Sequence, residues 1–445
     1  MKIIAIAFCL LLYSLSVLHA ADPLPSWNDS ASKKQIIEFV DRVTKQGSQD
    51  FVAIADRIAV FDNDGTLWSE APIPFQAAFV LDELKRRVPM EPQLESDPMV
   101  QAALAGNIGK LLEGPHHDGL MRVLALTHAG ITTEEFDERV RNWLATSRHP
   151  RFQRAYTELT YQPMLELLNY LRSNEFKTYI VSGGGADFIR VWSEQAYGIP
   201  PENVIGSTAQ TKFEIRDGNP VLTKTLDYVF VNDKEGKPVA IHRSIGRRPI
   251  ACFGNSDGDL AMLEYTTIRN PLPSFGLIVH HTDDEREYAY DRNPPSSGKL
   301  VTGLQGAQIH GWSVVDMKKD WKQIWSSPRS GVDALLGNWL VEEIGGDVVV
   351  ENAHSTIEFA KDGAISGDTC VNRFNGKANV DGTTLELGPL ATTRRAGPPA
   401  LMDQESRFIA ALERSASFRL GEGGLLYLYD STGKELLRLS KINAK

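Results

Sequence analysis

Residues 57–61 read RIAVF, a continuous apolar run after one arginine, and the same texture returns in KTYIV (177–181), PIACF (249–253) and GLIVHH (276–281). Unbroken apolar runs of this length suit strands buried on both faces, as in parallel sheets. Between them the apolar period lengthens to that of helices. Ser32 is positioned to cap a helix over Lys33–Lys45 whose Ile36, Ile37, Val40 and Val43 share one side. Residues 72–158 read as a helical block. Within it, Asp97-Pro98 has the form of an N-cap followed by proline at the first helical position, and Thr132 with Glu135 has capping-box spacing. PMLELLNYLRSNEF (163–176) and SGGGADFIRVWSEQAYG (182–198) predict two more helices, the second ended by Gly198, and GNSDGDLAMLEY (254–265) is a loop entering a helix. Strand and helix in alternation predict an α/β fold with a parallel sheet.

The pattern changes near Ser326. SSPRSG opens a linker over 326–334, and beyond it STIEFA, TTLELG and LLYLYDSTGKELLRL alternate as antiparallel strands do. Asp430-Ser-Thr-Gly433 is a hairpin signal, and ESRFIAALERS (405–415) is the one helical interruption. Residues 335–445 therefore form a separate, mainly β domain.

Composition narrows the function. The chain has 445 residues, too many for one ordinary domain, with 42% hydrophobic residues, enough for real cores. A net charge of -10 argues against a general nucleic-acid binder. The N-terminus, MKIIAIAFCLLLYSLSVLHA, has a positive start, an apolar run and small residues at its end, the form of a secretory signal peptide over 1–20. Its apolar run falls short of the ~20 residues a spanning helix needs, so the expected mature protein is exported, periplasmic or secreted, and not inserted in the membrane. Cys252 and Cys370 would remain, in different domains, as two free thiols.

Chemistry concentrates in AVFDNDGTLW (59–68), where Asp62 and Asp64 stand one residue apart. An EF-hand loop would need glycine and glutamate at its sixth and twelfth positions; counted from Asp62 these are Leu67 and Ile73. A hairpin on Asp64-Gly65 would need alternating flanks, and IAVF does not alternate. The third reading is a nucleophile and its acid. Strand YIV ends at Ser182 before three glycines, Lys237 lies ahead of the next strand, and ACF ends in Gly254-Asn255-Ser256-Asp257-Gly258-Asp259. Ligands bind at the carboxyl ends of parallel strands, so these polar loops converge on one place. Elsewhere, His116-His117-Asp118 reads as a solvated loop, and His280-His281 with Asp283, Asp284 and Glu285 as a solvated face. Asp257-Gly258 reads as an ordinary turn, although Asp257 is also a spare carboxylate beside Asn255. Gly183–Gly185 lack the GxGxxG pattern of a dinucleotide loop. Trp68 suits a pocket wall or the core equally.

The four segments resemble the motifs of the haloacid dehalogenase (HAD) superfamily, and among its members the phosphoserine-phosphatase-like phosphatases. Asp62-Asn63-Asp64-Gly65-Thr66 resembles the first motif, DxDGT; Ser182 the second; Lys237 the third; and Gly254–Asp259 the fourth. The resemblance spans 33–325 and implies a Rossmann-like parallel sheet with an α-helical cap inserted over about 70–160. It implies hydrolysis of small phosphomonoesters through an aspartyl-phosphate. In that chemistry Asp62 is the nucleophile, Asp64 the acid and base, and Lys237 a fixed positive charge. Thr66 braces the loop, Ser182 and Gly183 hold phosphoryl oxygens, and Mg²⁺ is held by Asp62, Asp64, Asn255 and Asp259. The chain departs from the pattern at Asn255, where the family carries an aspartate, and Asp259 is there a ligand or a supporting acceptor. Phosphotransfer through the same intermediate, or an envelope binding or stress protein with weak turnover, are the alternatives. From Leu335 onward, LLGNW, STIEFAKDGAISG, NRFNGKANVDGTTLELGPLATTRR and ESRFIAAL resemble the META domain of bacterial envelope proteins, a module whose partner the sequence does not name.

Overall fold

In the computed structural model the described residues are 22–111, 118–325, 335–350, 353–381, 383–420 and 425–442. The expected leader, the 326–334 linker and His116-His117 lie outside them. The described chain divides into two compact units, one built from 22–123, 161–210 and 226–324, the other from 124–160, 211–225 and 325–442.

The first sheet contains β1 (Ile58–Phe61), β2 (Lys177–Gly185), β3 (Val204–Arg216), β4 (Asn219–Phe230), β5 (Ala251–Gly254), β6 (Phe275–His280) and β7 (Ser313–Asp316), in the spatial order β4-β3-β2-β1-β5-β6-β7. β1 pairs in parallel with β2 on one side and β5 on the other, and β2–β3, β5–β6 and β6–β7 are parallel too. All four residues of β1 and of β5 are buried, as their unbroken apolar texture requires. Phe61 stacks on Phe253 with centroids 4.3 Å apart. One face packs Ile58, Val60, Val181, Cys252 and Ile278 with Ala240, Ile241, Met262 and Leu263, each large side chain adding about 1.5–3 kcal/mol by leaving water. The sheet's middle strands thus present the carboxyl ends of β1, β2 and β5 side by side.

The helices follow their local signals with two exceptions. Asp97 caps Pro98–Leu104 by accepting from the N–H groups of Met99 and Val100, and Thr132 and Glu135 form the reciprocal capping box. The first helix, Ala31–Thr44, is capped by Ser30 rather than Ser32. Ser30 has the extended backbone and accepts from Lys33 N–H, whereas Ser32 Oγ donates to Asp320 2.8 Å away. The segment after Ser182 is not one helix: β2 continues through Gly185, and two short helices follow, Ala186–Arg190 and Ser193–Tyr197. Gly198, at φ 67°, closes the second in the left-handed conformation. β3 and β4 are an addition to the expected order, joined at Asp217-Gly218, both at positive φ.

In the second unit the C-terminal strands are β8 (Gly337–Ile344), β9 (Asp347–Val348), β10 (Thr356–Phe359), β11 (Ala364–Asp368), β12 (Arg373–Asp381), β13 (Thr384–Leu387), β14 (Ala391–Thr392), β15 (Ser417–Leu420), β16 (Leu426–Tyr429) and β17 (Glu435–Lys441). β10 pairs with both β11 and β8, so the antiparallel sheet closes on itself and hides the edges an open sheet would expose. The helix Pro399–Arg414 places Phe408, Ala411 and Leu412 in a core with Trp339, Phe374 and Leu428. Cys252 is buried, Cys370 is half-buried at φ 78°, and both are free thiols. Among the described residues no helix is long and apolar enough to cross a membrane.

Candidate active site

β1 ends at Phe61 and delivers Asp62 to the carboxyl edge of the sheet, where the Asp62 N–H still donates to the Phe253 carbonyl of β5. The chain then turns tightly. The N–H groups of Thr66 and Leu67 donate to the Asn63 carbonyl, and Gly65 N–H donates to the Trp68 carbonyl. Gly65 sits at φ 74°, and a Cβ there would lie 2.0 Å from Asn255 Nδ2 and 2.4 Å from Glu70 Oε1. Only glycine fits both the conformation and the space.

Lys237 comes from the first turn of the helix Gly236–Ile245, ahead of β5. Its buried ammonium lies 2.6 Å from Asp62 Oδ1 and 2.5 Å from Asp259 Oδ1. Asp259 Oδ2 accepts from the N–H groups of Asn255 and Ser256 and from Ser256 Oγ. Both Asp259 oxygens are therefore committed to the lysine and to their own loop, the geometry of a supporting acceptor. Asp257 turns away from the motif: its Oδ1 accepts from Val301 and Gly303 N–H.

Ser182 is fully buried and its Oγ accepts from Gly184 N–H at 3.0 Å. A Cβ on Gly184 would lie 3.3 Å from that Oγ and 3.5 Å from Asp64 Oδ2. The glycine-rich end of β2 thus passes close beside Asp64, where a side chain at Gly184 would crowd the Ser182 hydroxyl by a few tenths of an ångström. Asn232 Nδ2 donates to the Ser182 carbonyl and Ser207 Oγ to the Gly183 carbonyl. Trp68 is buried and also bonded: its Nε1 donates to Asp64 Oδ1 at 2.9 Å and its ring stacks on Trp192 at 3.9 Å. Of the two readings of Trp68, the structure shows the core one.

Electrostatics set Asp62 and Asp64 apart from ordinary carboxyls. Burial, then Asp259 beyond the lysine, pushes the Asp62 carboxyl well up, and Lys237 opposes both. The two carboxylates outweigh burial at Lys237 and hold it protonated. Burial raises Asp64 to about 6; the Trp68 bond opposes this and the Glu70 charge adds to it. An acid raised in the folded state costs stability progressively as the pH climbs from its unfolded value of 3.8 to its folded value of about 6, and above that the full cost is present. Asp64→Asn keeps the acceptor for Trp68 and removes that cost. We expect it to stabilise the protein by up to about 3 kcal/mol at pH 7, with the gain shrinking to nothing near pH 4, as read by urea unfolding at the two pH values.

Several residues of the site escape sequence reasoning. The segment from His280 to Glu285 is only partly a solvated face: Asp284 and Glu285 are exposed, whereas His281, Asp283 and Glu287 are buried. Asp283 is held by Arg286 and backbone N–H groups of its own segment, whereas His281 and Glu287 bond to the motif loop and the residues just after it. His281 Nε2 lies 2.7 Å from the Gly65 carbonyl and Nδ1 3.2 Å from Glu287, whose other oxygen receives Ser69 Oγ at 2.5 Å. Burial would lower His281, but the Glu287 bond and charge prevail and raise it. Both ring nitrogens face acceptors, so the imidazolium form satisfies them. Glu70, a buried carboxylate two residues beyond Trp68, touches Asn255.

The donor set suits a hard divalent cation. Asp62 has its second oxygen free of hydrogen bonds among the described residues, and Asn255 Oδ1 accepts only from Thr66 Oγ1, 3.2 Å away. With the Asp64 backbone carbonyl these are oxygen ligands including one carboxylate, which Mg²⁺ accepts because it keeps several waters. Among the described residues no three His, Cys, Asp or Glu side chains form a metal cluster.

Fold and site are those of a HAD-type phosphoric monoester hydrolase domain. Residues 59–264 match the family model of haloacid dehalogenase-like hydrolases and residues 333–442 that of the META domain; the chain joins one domain of each family. No curated protein is significantly similar to it. Similar solved structures include a conserved protein of unknown function from Anaerococcus prevotii DSM 20548, 15% identical with a TM-score of 0.41, the match covering 63% of this chain and 99% of that one. Another, from Bordetella pertussis Tohama I, is 17% identical with a TM-score of 0.36 (59% and 98% covered). A phosphoserine phosphohydrolase-like protein from Francisella tularensis subsp. tularensis SCHU S4 is 17% identical with a TM-score of 0.32 (57% and 98% covered).

Proposed function

We propose that the chain is an exported, Mg²⁺-dependent phosphatase that hydrolyses small phosphomonoesters through an aspartyl-phosphate on Asp62. The observation that carries this is the convergence of Asp62, Asp64, Ser182 and Lys237 at the carboxyl ends of β1 and β2, with Lys237 Nζ 2.6 Å from Asp62. In the first step an Asp62 oxygen attacks phosphorus, the bond from phosphorus to the ester oxygen breaks, and the Asp64 carboxyl gives that oxygen its proton. In the second, Asp64 takes a proton from water, whose oxygen attacks phosphorus and releases phosphate and the Asp62 carboxylate. Lys237 offsets the charge of nucleophile and phosphoryl group, and Ser182 Oγ and Gly183 N–H hold phosphoryl oxygens. Asp62, Asn255 and the Asp64 carbonyl would hold Mg²⁺, which supplies positive charge where two anions must meet. Asp64, raised to about 6, is partly protonated near neutral pH, as an acid that must also serve as a base requires. Asp259 serves by holding Lys237.

The test is hydrolysis of p-nitrophenyl phosphate by the mature protein, followed by a screen of phosphometabolites. Activity that EDTA removes and Mg²⁺ restores is the expected outcome, and none under any metal condition would refute the reading. Asn255 favours a second reading, a binding protein with weak turnover. Tight binding of beryllium fluoride without hydrolysis would select it.

A further inference from the structure

Asn255 brings a neutral amide to a position where the resembling family has an acid, yet the amide does not stand alone. Glu70 Oε1 lies 2.7 Å from Asn255 Nδ2, and both residues are buried. The Glu70 oxygens receive two further donors, Tyr290 OH at 2.8 Å on Oε1 and Ser297 Oγ at 2.6 Å on Oε2. Two glycines clear the space around this carboxylate. A Cβ on Gly65 would come within 2.4 Å of Glu70 Oε1, and one on Gly298, at φ 82°, within 2.3 Å.

A carboxylate only accepts, whereas a carboxamide donates from one end and accepts at the other. Glu70 therefore selects the NH₂ end of Asn255 and leaves Oδ1 on the side of Thr66 Oγ1. The opposite rotamer would set Oδ1 against Glu70 Oε1, two acceptors at contact with no proton between them, a costly arrangement in a buried site.

We propose that Glu70 is a positioning residue of the hydrolytic site. It fixes the Asn255 amide with its oxygen turned to the motif loop, and it carries the negative charge that residue 255 lacks. The consequence for cation binding rests on the phosphatase reading above; the pairing itself rests on geometry alone. If charge is shared across the pair, acid and amide are exchangeable end for end.

The experiment compares Glu70→Gln, Asn255→Asp and the exchanged double variant. Each is melted in EDTA and titrated with Mg²⁺ by calorimetry. Asn255→Asp restores the family residue, yet it should melt lower than wild type in EDTA, because two carboxylates then meet at hydrogen-bond distance. Glu70→Gln should weaken Mg²⁺ binding about 10-fold to 100-fold, the range over which groups that orient metal ligands act. The exchanged double should regain both melting temperature and Mg²⁺ affinity to within about threefold. An unchanged Mg²⁺ affinity in Glu70→Gln, or a double variant no better than the worse single one, would overturn the proposal. If wild type binds no Mg²⁺, the phosphatase reading fails while the melts in EDTA still decide whether the pair is exchangeable. A single variant that does not fold is read through the double.

Discussion

Asp62→Asn is expected to lower kcat for p-nitrophenyl phosphate by about 10⁴-fold or more, the scale on which loss of a covalent nucleophile is felt. The amide keeps an oxygen for Lys237 Nζ, now 2.6 Å from Oδ1, and differs from the acid by almost no volume. Substrate affinity should change far less than kcat, and the variant should stay folded. Rapid-quench labelling should detect phosphorylated protein in wild type and none in Asp62→Asn. Wild-type turnover in this variant would remove Asp62 from its assigned role.

Lys237→Met is expected to destabilise the protein by about 3–5 kcal/mol at pH 7, the cost of breaking a buried pair on one side. Lys237 is the cation shared by Asp62 and Asp259, and all three are buried. Its removal leaves two carboxylates facing one site, and Asp259 already pushes Asp62 upward with the lysine in place. The loss should lessen at acid pH, where the carboxyls take up protons, and Asp259→Asn added to Lys237→Met should recover part of it. Urea unfolding at pH 7 and pH 5 measures both effects. A loss independent of pH would mean that packing, not charge, holds the lysine.

The parts of this molecule legible in its sequence are those whose cause is local. Ile58–Phe61 and Ala251–Gly254 are unbroken apolar runs because both faces of their sheet are covered. Asp97 and Thr132 act within three residues of themselves. The Ser30 cap is displaced from Ser32 by a contact with Asp320, 288 positions away. The hairpin of β3 and β4 carries exposed apolar residues such as Phe213 and Ile215 among charged ones, so periodicity is weak, and Asp217-Gly218 is the one strong signal. Within the site, the Asp62–Asp64 pair announces itself by proximity in the chain. Glu70 does not: its meaning lies in Asn255 and Tyr290, 185 and 220 positions away. His281 likewise reaches Gly65 across 216 positions. A histidine followed by acids reads as surface until the loop it supports is in view.

β1 has hydrogen-bonded neighbours on both sides, parallel to β2 and β5. Asp62, the proposed nucleophile, is thus mounted on a strand held from both sides, and local unfolding is expected to start elsewhere, where few contacts would be lost. Loops around the sheet's carboxyl edge can then vary while the centre strand, and the chemistry proposed on its end, stays in register. Diversification of substrates and retention of mechanism are, in such an arrangement, drawn from different reserves of stability.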